Sequence, residues 1–154
     1  MKILALDQST KHTGWSLWIN GELIDYGVID VDEGYDSITR MRIMGEKIAA
    51  IIDRRNPRYV VIEQVQFQRN YKVYSQLSQL QGVLFHILFE RKIEFTLVEP
   101  TKWRSFSKIK GKNREEQKAA AIQAVYEKYD VKVTDDIADA IGIGLWAVGT
   151  IKGE

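Results

Sequence analysis

Four acidic side chains stand where apolar segments of the sequence end or begin. Asp7 closes the run ILALD, and Glu63 closes the run VVIE. Asp136 and Asp139 are three residues apart at the start of DDIADAIGIGLWAVG, so on a helix they share one face. Carboxylates gathered without histidine or cysteine are typical ligands of Mg²⁺ or Mn²⁺. Two such ions, about 3.5–4 Å apart, can activate a water and stabilise the leaving oxygen of a phosphodiester.

Each of these acids also has a simpler structural interpretation. Asp7 alone could form a turn. The pair Asp135-Asp136 could cap a helix, with either Thr134 or Asp135 as the N-cap. Asp139 does not fit a capping role, because it lies inside an otherwise apolar helical segment.

The acids must be positioned by the segments around them, and the apolar periodicity predicts those segments. Strands are expected at 2–7, 13–19, 22–29 and 59–63 and within the run IEFTLVEP, with Asn20-Gly21 as a hairpin turn. Helices are expected at 36–55 and 72–91, from 113 onward, and at 134–150. The order β-β-β-α-β-α-β-α-α predicts one α/β domain in which helices flank a five-stranded mixed sheet.

Parallel pairing of the first and fourth strands would bring two of the acids together. Ligands of α/β proteins gather beyond the carboxyl ends of parallel strands, so Asp7 would lie beside Glu63. The final helix has no charged residue over 140–151, which predicts that it is buried against the sheet. Asp136 and Asp139 at its start would then lie near the same strand ends, where the helix dipole favours negative charge.

Composition excludes several classes of protein. The chain has 154 residues, 45% hydrophobic and 28% charged, with a net charge of +1, and predicts one globular domain over 1–154. The absence of cysteine excludes disulfides and thiolate metal sites and fits a reducing compartment. We expect no membrane partner and a cytoplasmic location, since no apolar stretch could span a bilayer and no signal peptide precedes the first strand. Of the two histidines, His86 is expected to be structural, and the role of His12 stays open.

Positive charge is concentrated over residues 100–118. The basic residues there are Lys102, Arg104, Lys108, Lys110, Lys112, Arg114 and Lys118. Trp103 and Phe106 are interleaved with them. This pattern is typical of phosphate contacts in DNA-binding proteins, and Arg69 and Lys72 would extend the basic surface towards the acids. The alternative is a solvated basic loop without a ligand.

Four segments resemble the RuvC-type Holliday junction resolvases, which have the ribonuclease H-like fold. They are ILALDQSTKHTGWSLW, VVIEQVQFQRN, LSQLQGVLFHIL and DDIADAIGIGLWA, in the order expected for that family. The resemblance implies a homodimer that binds four-way junctions and related branched DNA and nicks two opposing strands symmetrically. It also implies Mg²⁺ as the cofactor, with two ions per site and Mn²⁺ as a substitute. The implied metal ligands are Asp7, Glu63, Asp136 and Asp139, and Lys118 would lie near the scissile phosphate.

Two positions depart from the bacterial members of this family. Those members usually carry Pro-Gly after the first Asp, where this chain has Gln8-Ser9. They also often carry an aromatic residue three positions after the Glu, where this chain has Gln66. Gln66 cannot stack on a base, so we assign that role to the neighbouring Phe67. Short chains without cysteine are similar to the phage-encoded branch, which would act in the cytoplasm of the bacterial host.

The helix expected at 72–91 predicts the dimer contact, because its apolar residues occupy more than one face. They are Val73, Leu77, Leu80, Val83, Leu84, Phe85, Ile87 and Leu88. One face can cover the sheet while another needs a partner, and Gly82 would permit close approach. The alternative is burial of both faces within one domain.

Two other functions are compatible with parts of the sequence. LALDQST is also similar to the opening of sugar kinases of the actin-like fold. Those enzymes need two such domains, so this chain would supply only a fragment. The second alternative is a protein that binds junctions without cutting them, which the presence of all four acids disfavours. Nucleotide binding would identify the kinase, and nicking with a divalent metal would exclude the non-catalytic binder.

Overall fold

A computed structural model describes residues 1–152, and its centre is a five-stranded sheet. The strands are β1 (Lys2–Asp7), β2 (His12–Ile19), β3 (Glu22–Asp30), β4 (Tyr59–Glu63) and β5 (Glu94–Val98). Their order across the sheet is β3-β2-β1-β4-β5. The first three strands form an antiparallel meander, and β4 and β5 run parallel to β1. The predicted five-stranded mixed sheet is confirmed.

The hairpin between β2 and β3 turns on the Asn-Gly pair. Asn20 and Gly21 both have positive φ angles, 51° and 86°, as a tight hairpin turn with a right-handed strand twist requires. The two strands are slightly longer than predicted, since β2 starts at His12 and β3 continues to Asp30. These extra residues pair with each other at the far end of the hairpin.

Alternate residues of the central strands face opposite layers of helices. The helices are α1 (Ser37–Arg55), α2 (Tyr71–Glu90), α3 (Pro100–Phe106), α4 (Arg114–Tyr129) and α5 (Asp135–Thr150). Helices α1 and α2 cover one face of the sheet, where Leu4 and Leu6 of β1 are buried. Helices α3, α4 and α5 cover the other face, where Ile3 and Ala5 are buried. Burial on both faces explains why the strands that end at the acids are unbroken apolar runs.

Three helices begin at the capping residues that the sequence indicates. Asp36, Asn113 and Thr134 cap α1, α4 and α5, and each side chain accepts a hydrogen bond from the backbone N–H three residues later. Of the two N-cap candidates for the final helix, Thr134 and Asp135, the cap is therefore Thr134. Glu116 at the start of α4 accepts a hydrogen bond from the backbone N–H of Lys112 at 2.7 Å, one residue before the N-cap Asn113.

Two details of the prediction are wrong. The predicted order has two helices after β5, whereas the structure has three, because Pro100 opens the additional short helix α3, where a proline at the first position loses no hydrogen bond. Trp103, expected among the basic residues of a DNA-contacting stretch, is fully buried on that helix.

Helix α5 packs across the sheet as a core helix, as its uncharged sequence predicts. Its buried residues are Ala138, Ala140, Ile141, Gly142, Ile143, Gly144 and Ala147. The glycines make close contact possible: a Cβ atom at Gly144 would lie 1.9 Å from the indole nitrogen of Trp18. None of the helices in residues 1–152 is long and apolar enough to cross a membrane.

Candidate functional site

The ends of two parallel strands place Asp7 and Glu63 side by side. Strands β1 and β4 pair in parallel with Leu6 opposite Ile62, so the next residue of each strand is an acid at the same edge of the sheet. The apolar residues before each acid are fully buried and hold the strand ends in register. The juxtaposition predicted from the two apolar runs is therefore present.

Gly14 lets the start of α5 approach this edge. Gly14 pairs with Asp7 across β1 and β2, and a Cβ atom added to it would lie 2.0 Å from the backbone carbonyl oxygen of Asp136. Two residues along β2, the Ser16 hydroxyl donates a hydrogen bond of 2.7 Å to the carbonyl oxygen of Ala140. The first turns of α5 are thus seated directly on the strand beside Asp7.

The four acids open into one cavity of about 310 Å³. Its lining includes Asp7, Glu63, Asp136 and Asp139, together with Asp135, Arg104, Arg114 and Lys118. Side chains from positions far apart in the sequence therefore meet at one concave surface beyond the strand ends. This is where an α/β sheet with this topology binds its ligands.

Burial and mutual repulsion raise the pKa values of the acids. The pKa of Asp7 is raised well above its usual value by burial first and then by the negative charge of Glu63. The pKa of Asp139 is raised to about 7, again by burial and then by Glu63, while the charge of Arg104 opposes the shift. Burial also raises the pKa of Asp136. A cation among these groups would relieve the repulsion and favour the ionised carboxylates.

Glu63 is held by a hydrogen bond from α3. The indole Nε1–H of Trp103 donates to Glu63 Oε2 at 2.6 Å. Burial raises the pKa of Glu63, whereas this hydrogen bond and then the positive charges of Arg104 and Arg114 act in the opposite direction. The carboxylate of Glu63 is thus held by a specific hydrogen-bond donor, the indole N–H of Trp103.

The donor set fits a hard divalent cation, although the side chains are not closed around one. Carboxylate oxygens without histidine or cysteine match Mg²⁺ or Mn²⁺. Within residues 1–152, however, no three acidic, histidine or cysteine side chains converge closely enough to enclose an ion. A cation would reduce the repulsion among the carboxylates, and their side chains would have to turn towards it to complete its coordination.

The raised pKa values predict that the metal-free protein loses stability as the pH rises. A carboxyl whose pKa is raised by folding stabilises the folded state below its unfolded pKa, and this contribution is lost as the pH rises through the folded pKa. For Asp139 the window runs from the ordinary value of 3.8 to about 7. With a chelator present, we expect the melting temperature to fall between about pH 5 and about pH 8. Mg²⁺ should restore the melting temperature at about pH 8 and have little effect on it at about pH 5.

Comparison with Asp139→Asn isolates the contribution of the site to this pH dependence. His12 also contributes in the same direction, because its hydrogen bond with Asp30 raises its pKa. The Asn variant keeps that interaction but lacks the titrating carboxyl, so its melting temperature should fall less over the same range. Differential scanning calorimetry measures both proteins. Equal falls with pH, or equal responses to Mg²⁺, would contradict the proposed electrostatics.

Three of the predicted basic residues line the cavity. Arg104 comes from α3, and Arg114 and Lys118 come from α4. Lys118 Nζ lies 2.7 Å from Asp135 Oδ2, and this hydrogen bond lowers the pKa of Asp135. Asp135, considered from the sequence only as a possible helix cap, therefore holds Lys118 at the cavity. The other predicted basic residues are exposed and do not line it: Arg69, Lys72, Lys102, Lys108, Lys110 and Lys112.

The same arrangement of elements is found in a known family. A model of the family described as crossover junction endodeoxyribonuclease RuvC matches residues 3–146. The chain belongs to this family. The RuvC of Dictyoglomus turgidum is 24% identical to it over 147 residues, and the alignment covers 93% of each chain. The RuvC of Dictyoglomus thermophilum is 24% identical over 148 residues, again with 93% of each chain covered.

Solved structures agree with this RuvC-family assignment at the level of the fold. RuvC of Thermus thermophilus, solved in complex with a Holliday junction substrate, superposes with a TM-score of 0.76 at 16% identity, over 95% of this chain and 92% of that one. The fowlpox virus resolvase, solved with Holliday junction DNA, gives a TM-score of 0.67 at 19% identity, over 98% and 99%. The ribonuclease H-like fold is confirmed. The family is one of metal-dependent nucleases, which decides against the sugar kinase alternative.

Sequence reasoning missed two buried glutamines beside the site of this RuvC-family chain. Gln8 Nε2 donates to the carbonyl oxygen of Leu77 at 3.0 Å. Gln81 Nε2 donates to the carbonyl oxygen of Glu63 at 3.1 Å. Together they tie the ends of β1 and β4 to helix α2. A signal was present, because Gln81 interrupts the buried face formed by Leu80 and Leu84, and a polar residue there needs a partner.

Proposed function

We propose that this protein is a metal-dependent endonuclease that resolves four-way (Holliday) junctions and related branched DNA by nicking two opposing strands symmetrically. The observation that carries the proposal is the convergence of Asp7, Glu63, Asp136 and Asp139 on one cavity in a chain of the RuvC family. Residues 1–154 would act as a single nuclease domain. The place of action would be the cytoplasm, in a bacterial host if the gene is carried by a phage.

The four acids are the proposed ligands of two Mg²⁺ ions, for which Mn²⁺ can substitute. Bound there, the ions would supply Lewis acidity and lower the pKa of a bound water. The chain itself supplies the carboxylates and positions them with two strand ends and the first turns of α5. The positive side chains that line the same cavity, Arg104, Arg114 and Lys118, would neutralise a phosphate drawn towards the acids.

The exposed basic residues around the cavity are the proposed DNA-binding surface. They are Arg69, Lys72, Lys102, Lys108, Lys110 and Lys112. Contacts of this kind bind phosphates without reading sequence and weaken as salt is added. Two of the structural neighbours were solved with Holliday junction DNA, which supports branched DNA as the substrate class here.

Comparison of a labelled four-way junction with a linear duplex of the same arm sequence tests the proposal. With Mg²⁺ present, we expect nicks in the junction and little or no cutting of the duplex. The assay also separates the alternative functions, because a non-catalytic binder would shift the junction in a gel without cutting it. Equal cutting of both substrates would show a general nuclease and would contradict the proposed specificity.

Phe67 is the proposed base-stacking residue, and its replacement gives a further prediction. Its side chain is 81% exposed, and its ring lies edge-on to that of Tyr74, with 5.6 Å between centroids. Stacking on an unpaired base is worth about 1–3 kcal/mol. Phe67→Ala should therefore slow cleavage of a fully paired junction about tenfold or more. A junction with unpaired bases at the crossover should be cut nearly as fast as by the wild type.

The two substrates serve as controls for each other in that experiment. Single-turnover rates on each would be measured with enzyme in excess. Equal slowing on both would mean that Phe67 only supports the fold, and unchanged rates on both would mean that it has neither role. Tyr71→Ala is a matched variant, since Tyr71 is 77% exposed nearby and should show a smaller difference between substrates.

We further propose that the protein acts as a homodimer through α2. One face of this helix is buried against the sheet by Leu80, Leu84 and Leu88. Other apolar residues are partly covered within the protomer, since Val83 lies against Gly45 of α1 and Phe85 stacks on Phe95 of β5. The outward face is consequently more polar than the sequence suggested. It presents Gly82, His86 and Phe89, the last 69% exposed.

Sedimentation velocity tests the dimer directly. We expect a dimer at roughly micromolar concentration, or on addition of junction DNA, because two strands must be nicked at symmetric positions. Phe89→Glu places a charge on the outward face and should weaken the dimer without unfolding the protomer. A monomer with and without junction DNA would contradict the proposal.

A further inference from the structure

We propose that Trp103 is a positioning residue for Glu63, orienting its carboxylate as a ligand for the divalent cation. The inference deepens the proposed function and rests on it in one respect, namely that Glu63 binds the metal. Trp103 would act through Glu63 and would touch neither the metal nor the DNA. It had been expected among the DNA contacts of the basic segment, and its burial removes that role.

The geometry begins with the indole hydrogen bond. Trp103 Nε1–H donates to Glu63 Oε2 at 2.6 Å, between residues 40 positions apart in the sequence. A buried indole N–H requires an acceptor, and a carboxylate is a stronger acceptor than a neutral oxygen. With Oε2 held by the indole, the orientation of the carboxyl plane is set, and Oε1 is free of this contact.

Packing makes the donor rigid. Trp103 is 0% exposed and belongs to the core formed with α4 and α5. Its ring fits against Gly142, where an added Cβ atom would lie 2.6 Å from the ring carbon Cζ3. The guanidinium of Arg104, the next residue of the same helix, lies over the ring at 5.2 Å from its centroid. A donor fixed in this way can orient a flexible glutamate, as partners of metal ligands commonly do.

A merely structural tryptophan is the alternative, and the chain offers a matched control for it. Trp18 is also buried, packs against a glycine of α5, and donates its Nε1–H at 2.9 Å to a side chain, the Ser16 hydroxyl. The acceptor of Trp18 is not an acid of the cavity, although the Ser16 hydroxyl donates in turn to the carbonyl oxygen of Ala140 on α5. Trp18→Phe and Trp103→Phe each remove a buried indole donor that packs against α5, and only the second removes a donor to a proposed metal ligand.

Metal binding, measured apart from catalysis, distinguishes the two interpretations. Mg²⁺ affinity would be obtained from NMR titrations of wild-type protein, Trp103→Phe and Trp18→Phe. We expect Trp103→Phe to weaken Mg²⁺ binding about tenfold or more, in the range found for partners of metal ligands. Trp18→Phe should leave the affinity unchanged even where it lowers the melting temperature. Wild-type affinity in Trp103→Phe, or equal weakening in both variants, would overturn the inference.

The indole resonance provides a second measurement on the wild-type fold. The four tryptophans give four indole N–H signals, and that of Trp103 should move on addition of Mg²⁺ in the wild type but not in Glu63→Gln. If Trp103→Phe does not fold, a moved signal supports coupling between the indole and the metal ligand, and an unmoved signal would overturn the inference. Cleavage is assayed separately. If Mg²⁺ binds as described but junctions stay intact, the proposed nuclease function fails while the role of Trp103 in metal binding stands.

Discussion

Asp7→Asn and Glu63→Gln are expected to abolish cleavage of a four-way junction while leaving binding of that junction intact. The amides keep the size of the side chains but remove the charge that a divalent cation needs. Metal ions supply several kcal/mol of transition-state stabilisation, and about 1.4 kcal/mol corresponds to a tenfold change in rate. We therefore expect at least about a thousandfold loss. Asp136→Asn and Asp139→Asn should behave in the same way.

Binding should survive because the basic surface is separate from the acids. Fluorescence anisotropy with labelled junction would report affinity, and a denaturing gel would report cleavage. Asp53→Asn is a suitable control, because Asp53 pairs with Arg91 on the surface and does not line the cavity. It should cleave as the wild type does. Cleavage near the wild-type rate by Asp7→Asn or Glu63→Gln would refute the proposed site.

Gly14→Ala is expected to damage both stability and activity, although it adds a single methyl group. The added Cβ atom would lie 2.0 Å from the backbone carbonyl oxygen of Asp136, and its own position is fixed by the backbone of residue 14. Neither can rotate away, so α5 must move off β2. Overpacking typically costs about 1–3 kcal/mol and occasionally more. A displacement of the acids by about 1 Å can lower a catalytic rate about a hundredfold.

Gly82→Ala is the matched control for that substitution. A Cβ atom at Gly82 meets nothing within 4 Å, and alanine is favoured over glycine inside a helix by about 0.5–1 kcal/mol. Urea unfolding at low protein concentration should show Gly82→Ala as slightly stabilised and Gly14→Ala as clearly destabilised. A Gly14→Ala protein with wild-type stability and cleavage would mean that the seating of α5 on β2 is looser than described.

The strand ends were predictable because their determinants are local. Asp7 and Glu63 each follow a run of residues buried on both faces of the sheet, and such runs belong to parallel or central strands. The charge-free stretch of α5 likewise predicts a core helix, and its acids lie at the N-terminus of that helix. A resemblance to one family then added the ribonuclease H-like fold to the predicted order of elements, and the RuvC-family match over 3–146 agrees with it.

The parts that were not predictable depend on contacts between distant segments. Nothing near Trp103 in the sequence indicates that its partner is Glu63, and its basic neighbours suggested a DNA contact instead. Gln8 and Gln81 interact across 73 positions. The need for glycine at position 14 arises only when α5 is laid on β2. Helix α3 was missed because its seven residues are too short for an apolar period to be recognised.

Mapping the nicks in a four-way junction tests the central claim most directly. Four versions of one junction, each labelled on a different strand, would be incubated with the protein in Mg²⁺ and in a chelator. We predict nicks in two opposing strands at symmetric positions near the crossover, in Mg²⁺ only. Intact strands in Mg²⁺, or the same nicks in the chelator, would contradict the account of these four carboxylates as a metal-binding nuclease site.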